Sequence, residues 1–168
     1  MTLNLIIRSG ARLFLFVLLQ VFLFNHIFFT GLQLVPFFYL LFILTLPFEV
    51  SASLLLLFAF LTGGLVDIFS DTGGVHTAAA VLTAYIRPYW QKAISPRDGY
   101  TAEMQPTIKH LGLPWFLKYT SLPIPVYYLV FYTLHEFHFT FFILLKTLAA
   151  SVFLLLIMII SQYLIPGK

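Results

Sequence analysis

The chain has 168 residues, 61% of them hydrophobic and only 9% charged, with a formal net charge of +3; that composition excludes an ordinary soluble domain. Several separate stretches each approach the roughly 20 apolar residues that cross a hydrocarbon layer of about 30 Å, so the chain reads as an integral membrane protein, one transmembrane domain over 1–168. The absence of cysteine excludes disulfide staples, thiolate metal sites and a cysteine nucleophile.

In chain order, Arg8 and Arg12 precede an apolar run through Phe14–Leu19 and Phe22–Phe24. No small-residue cleavage site follows, and the run is too long for a signal h-region, so a retained helix is expected over 9–29. A second, shorter span is expected over 33–47, with Pro36 near its start, where a missing N–H costs little. The third and fourth cover 50–70 and 74–90. The fifth, 117–135, contains Pro123 and Pro125, which either kink it or delay its start to Ser121. The sixth covers 139–164. The expected fold class is an all-α polytopic bundle of six transmembrane helices.

An even number of crossings satisfies the charge pattern. Arg8, Arg12, Arg87, Lys92, Arg97, Lys109, Lys118 and Lys168 then all fall on one side, which the positive-inside rule makes cytoplasmic. Both termini are expected there, and Lys146 is left inside the sixth span. The one sizeable loop, 91–116, is cytoplasmic in this arrangement. It reads either as a solvated connector or as a docking segment for anionic lipid or a cytoplasmic partner.

The stretch "LTGGLVDIFSDTGGVHTAAAV", Leu61–Val81, breaks the apolar pattern. Ala59, Gly63 and Asp67 are spaced by four and share one helix face, with Asp71 continuing the line. Small residues at that spacing let helices approach closely in lipid, so spans three and four are expected to form a tight antiparallel hairpin, weakened by Gly64→Leu. "SDTGG" reads as an outer turn in which Asp71 or Thr72 caps the next helix and Gly73 and Gly74 take angles barred to other residues. A carboxylate at Asp67 is costly inside a bilayer. It needs a partner, for which the candidates are His76 across the turn and Lys146 at comparable depth; an Asp67–Lys146 ion pair would lock span three to span six.

Two catalytic readings are set aside. "LHEFHF" places His135 and His138 three apart around Glu136, whereas the zinc-protease motif needs four and a third ligand. Asp67 and Asp71 lie on one helix and its turn, not on two facing elements. No enzyme activity, no cofactor, no metal and no nucleic-acid partner is expected.

The run "LPFEVSASLLLLFAFLTGGLVDIFSDTGGVHTAAAVLTAY", Leu46–Tyr85, resembles the central signature of the MreD family of rod shape-determining membrane proteins. The matching elements are Pro47, Gly64 and Asp67 closing span three, and Gly74-Val75-His76 opening span four, with Tyr85 near its end. Outside this run the likeness is hydropathic. The resemblance implies a non-enzymatic component of the bacterial cell-elongation machinery in the cytoplasmic (inner) membrane. It further implies a fold similar to the S components of energy-coupling-factor vitamin transporters. The implied partners are an MreC-like bitopic protein and, through it, an MreB-like filament, a RodA-like glycosyltransferase and its transpeptidase. Pro47, Gly64, Asp67, Gly74 and His76 are the positions carried over.

Two functions follow as expectations. In the first the bundle is a scaffold whose small-residue surface holds a partner's transmembrane helix, with Pro47, Gly63, Gly64, Asp67, Gly74, His76 and Lys146 as partner-binding or architectural candidates. In the second it is an S-component-like carrier that binds a vitamin or another small molecule among convergent polar side chains.

Overall fold

A computed structural model of the chain describes residues 3–27, 34–97, 99–101, 104–137 and 139–164, and within them the fold is all-helical. The helices are α1 (Leu3–Phe22), α2 (Leu40–Leu44), α3 (Ala52–Ser70), α4 (Val75–Ala93), α5 (Ile108–Leu111), α6 (Leu113–Thr120), α7 (Pro123–Glu136) and α8 (Phe141–Leu164). A single 3₁₀ turn, Phe24–His26, extends α1.

Among the described residues, three helical stretches are long and apolar enough to cross a membrane: Ile7–His26, Ala52–Ser70 and Phe141–Leu164. At 1.5 Å per residue each reaches about 30 Å. In α8 the apolar character runs right round the helix. Ile143, Ala150, Leu154 and Met158 are buried, while Leu145, Leu148, Val152, Leu156 and Ile160 are exposed. A helix that is apolar on its outward face as well is compatible with a membrane-spanning helix, since water would penalise that face.

The long helices pack in a chain of neighbours, α1 on α3, α3 on α4, α4 on α7 and α7 on α8. In the middle sits α2, touching α1, α3 and α4. The expected second span, 33–47, is a different object from a lipid-facing helix. Only five of its residues are helical, and Tyr39, Leu40, Phe42, Ile43, Leu44 and Leu46 are fully enclosed. Pro36 and Pro47 bracket the segment and deny it two N–H donors, so the backbone before Tyr39 does not enter a regular helix. Its aromatic residues are core filler: Phe38 stacks between Phe16 and Phe24 at 5.3 and 4.5 Å.

The expected fifth span is two helices. The chain breaks at Ser121–Leu122, and Pro123 opens α7 in its first turn, where a proline's fixed φ suits a helix start. Part of the 91–116 loop folds back on the bundle. Tyr100 stacks on Phe48 at 4.1 Å, and the Ile108 N–H donates to Gln162 Oε1 at 2.8 Å, tying α5 to α8. The end of the first span beyond Ile27, the start of the second at 33, His138 and the C-terminal Lys168 lie outside the described residues.

Candidate functional site

The hairpin of α3 and α4 is built from Gly63 and Asp67. A Cβ added at Gly63 would lie 2.6 Å from Thr77 Cα and 2.9 Å from the His76 carbonyl oxygen, so the two backbones touch there and only glycine fits. Gly64 is different. A Cβ there meets only Thr77 Oγ1, at 3.7 Å, so the close approach is at Gly63, on the face that carries the buried Ala59 and Asp67, and not at Gly64, the position of the expected weakening substitution.

Asp67 caps α4 from the preceding helix. Its Oδ1 accepts from the His76 N–H at 3.0 Å and Thr72 Oγ1 at 2.5 Å, and its Oδ2 from the Thr77 N–H at 2.8 Å and Thr77 Oγ1 at 2.5 Å. The first N–H groups of a helix have no partner within it, and a carboxylate there is also favoured by the helix dipole. Neither Asp71 nor Thr72 is the N-cap. Asp71 closes α3 in the left-handed conformation, φ 52°, and Gly74, at φ 97°, occupies the N-cap position with no side chain to offer. The N-cap position itself offers no side chain, and the capping group comes from Asp67.

The expected Asp67–Lys146 pair does not form. Four donors of the turn already surround the carboxylate, and α8 packs on α7. Lys146 Nζ instead meets Glu136 Oε1 of α7 at 2.8 Å and lies 5.7 Å from the Tyr132 ring centre. His76 joins Asp67 through its backbone, not its ring. The buried imidazole turns inward, with Nδ1 at 2.7 Å from Tyr127 Oη and 3.2 Å from Tyr39 Oη, and the two tyrosine hydroxyls bond each other. Phe37 and Phe131 close over the ring, each 4.7 Å away.

Around the α2 segment runs a set of polar groups that sequence reading missed. Tyr128 Oη accepts from the Phe37 N–H at 3.2 Å and donates to the Val35 carbonyl at 2.9 Å. Gln20 accepts from the Tyr39 N–H at 3.3 Å and donates to the Pro36 carbonyl at 3.2 Å. At the far end Tyr119 Oη donates to the Leu44 carbonyl at 2.9 Å and accepts from Arg87 Nε at 2.8 Å, while Arg87 also donates to the Leu46 carbonyl. Arg87 is 2% exposed, and none of the described carboxylates pairs with it; its guanidinium is satisfied by the Leu46 carbonyl, just past the end of α2, and by the Tyr119 hydroxyl. Irregular backbone survives in a protein interior only where other groups satisfy it, and these side chains do so. Pro47, buried next to Leu46, ends the segment. The signal for this set was available: Tyr39, Tyr119, Tyr127 and Tyr128 sit in apolar runs, where each hydroxyl needs a partner.

Two surface features complete the site. At the end of the bundle that carries the Asp71–Gly74 turn lies a cavity of about 360 Å³, walled by Asn25, Ser70, Thr72, His76, Tyr132, His135, Glu136 and Lys146 with Val35, Phe37 and Phe131 beneath. On the outside of the hairpin an apolar groove of about 730 Å³ runs between Leu56 and Phe60 of α3 and Ala78, Leu82 and Tyr85 of α4, with Gly74 at the N-cap. The seven candidate residues therefore separate: Gly63, Gly64, Asp67, Gly74 and His76 gather along the hairpin, Lys146 stands across the cavity from it, and Pro47 lies at the other end of the buried segment. Comparison with protein-family models, with curated proteins and with solved structures returns no match.

Proposed function

We propose that the chain is a non-enzymatic membrane scaffold of the bacterial cell-elongation complex, as its resemblance to the MreD family suggests, and that the groove outside α3 and α4 receives the transmembrane helix of an MreC-like bitopic partner. The six crossings are α1, the buried segment around α2, α3, α4, α6 with α7, and α8, in an S-component-like bundle with both termini cytoplasmic. The observation that carries the reading is the hairpin of Leu46–Tyr85. Gly63 and Asp67 join its two helices so closely that Ala78, Leu82, Tyr85 and Tyr89 of α4 are left facing outward in one stripe. Helices associate in lipid by close packing over small residues, and the groove beside Gly74 and Ala78 offers that contact. The MreB-like, RodA-like and transpeptidase partners would be reached through the bitopic protein.

The test is site-specific photo-crosslinking in cells that co-express the MreC-like protein. A photoreactive residue at Leu82 is expected to capture the partner's transmembrane segment, and one at Leu148, on the outward face of α8, is expected to capture none. Equal capture at both positions, or none at Leu82, overturns the scaffold reading. The second reading, a carrier of a vitamin or similar solute, is favoured by one observation, the polar cavity at the turn end of the bundle.

A further inference from the structure

The cavity at the turn end shares no lining residue with the groove in which the scaffold reading seats a partner. Lys146 and Glu136 both line it and are paired directly at 2.8 Å, with side chains 14% and 23% exposed. An ammonium has three donors, and Glu136 Oε1 takes one of them. The amide of Asn25 is held against Ser70 Oγ at 2.9 Å, fixing the opposite wall. Tyr132 is 5% exposed, lines the same cavity, and its hydroxyl has no hydrogen-bond partner among the described residues. A buried hydroxyl without a partner is costly, and here it borders a space large enough for a small ligand. Three metal-ligating side chains do not converge anywhere among the described residues.

Charge selects the ligand. One cation and one carboxylate line the wall, and the Asp67 carboxylate lies directly behind Thr72. A simple anion would meet net negative charge, and a simple cation would leave Lys146 without a new partner. We infer that the cavity between Lys146, Glu136 and the unpartnered Tyr132 hydroxyl binds a small zwitterion bearing a primary ammonium and an anionic group, the anion at Lys146 and the ammonium at Glu136. Two sources carry this chemistry, the headgroup of phosphatidylethanolamine and a free solute such as an amino acid. Only the choice of lipid rests on the membrane placement proposed above; the cavity is separate from the partner groove, so its occupancy and partner capture are read independently.

The experiment is native mass spectrometry of the full-length protein in detergent with added phosphatidylethanolamine or phosphatidylglycerol, alongside thermal unfolding with glycerophosphoethanolamine or alanine. Phosphatidylethanolamine is expected to be retained about tenfold over phosphatidylglycerol, the size of effect a charge-assisted bond supplies. Lys146→Met and Glu136→Gln are expected to abolish the preference. Tyr132→Phe, which removes only the unpartnered hydroxyl, is expected to fold normally and to weaken it. A lipid preference lost in these variants identifies a headgroup site. Stabilisation by a soluble zwitterion without lipid preference, lost in the same variants, identifies a solute site. Equal retention of both lipids with no solute response, or a preference that survives Tyr132→Phe and whichever charge variants fold, overturns the inference.

Discussion

Gly63 and Gly64 are adjacent in sequence and opposite in consequence. Gly63→Ala places a methyl 2.6 Å from Thr77 Cα, a backbone atom that cannot rotate away, so α3 and α4 must separate. The expected cost is about 1–3 kcal/mol, typical of overpacking. Gly64→Ala adds a methyl in ordinary contact with a hydroxyl and removes a flexible residue from a helix interior, worth roughly 0.5–1 kcal/mol, and is expected to be neutral or stabilising. Unfolding of the two variants in detergent checks the contrast; equal destabilisation would mean that the hairpin does not touch at Gly63. Asp67 acts at the same scale. It is acidic in an apolar helix because α4 begins with N–H groups that its own turn leaves uncapped.

Among the elements, α2 depends most on its surroundings. Five helical residues are too few to stand alone, and the segment is held because tyrosine, glutamine and arginine side chains complete its backbone bonds. Tyr128→Phe leaves the Phe37 N–H and the Val35 carbonyl without partners, each at about 1–3 kcal/mol, and is expected to lower the unfolding midpoint far more than Tyr132→Phe, whose hydroxyl has no partner among the described residues. Thermal unfolding of the two variants measures the difference, and matching midpoints would show that Tyr128 does not hold the segment. The break between α6 and α7 follows a simpler logic: Pro123 and Pro125 cannot donate to a preceding turn, so a helix ends and another begins.

For the whole molecule, the proposed topology puts the Asp71–Gly74 turn and the α7–α8 connection on the outer side and the α4–α5 connection on the cytoplasmic side. Ser95 and Phe139 are both exposed, and neither contributes to the cavity or the hairpin. With a cysteine introduced at each in turn into this cysteine-free chain, Phe139→Cys is expected to react with an impermeant thiol reagent in intact cells. Ser95→Cys is expected to react only after the membrane is opened. The reverse pattern would invert the bundle and move the polar cavity to the cytoplasm.

Apolar run length, the small-residue spacing through Ala59, Gly63 and Asp67, and the helix breaks at proline were all legible along the chain, because each depends on residues a few positions apart. The long helices α1, α3 and α8 and the α3–α4 hairpin were therefore foreseeable from sequence. Tertiary structure alone decided which groups meet. Asp67 satisfies α4 instead of Lys146, Lys146 finds Glu136, Arg87 closes the end of α2, and the span that looked ready for lipid is the buried core. Those outcomes depend on which helix lies beside which. Hydrogen bonds reach only about 3 Å, so a partner is chosen by packing across the bundle, which spacing along one chain does not encode.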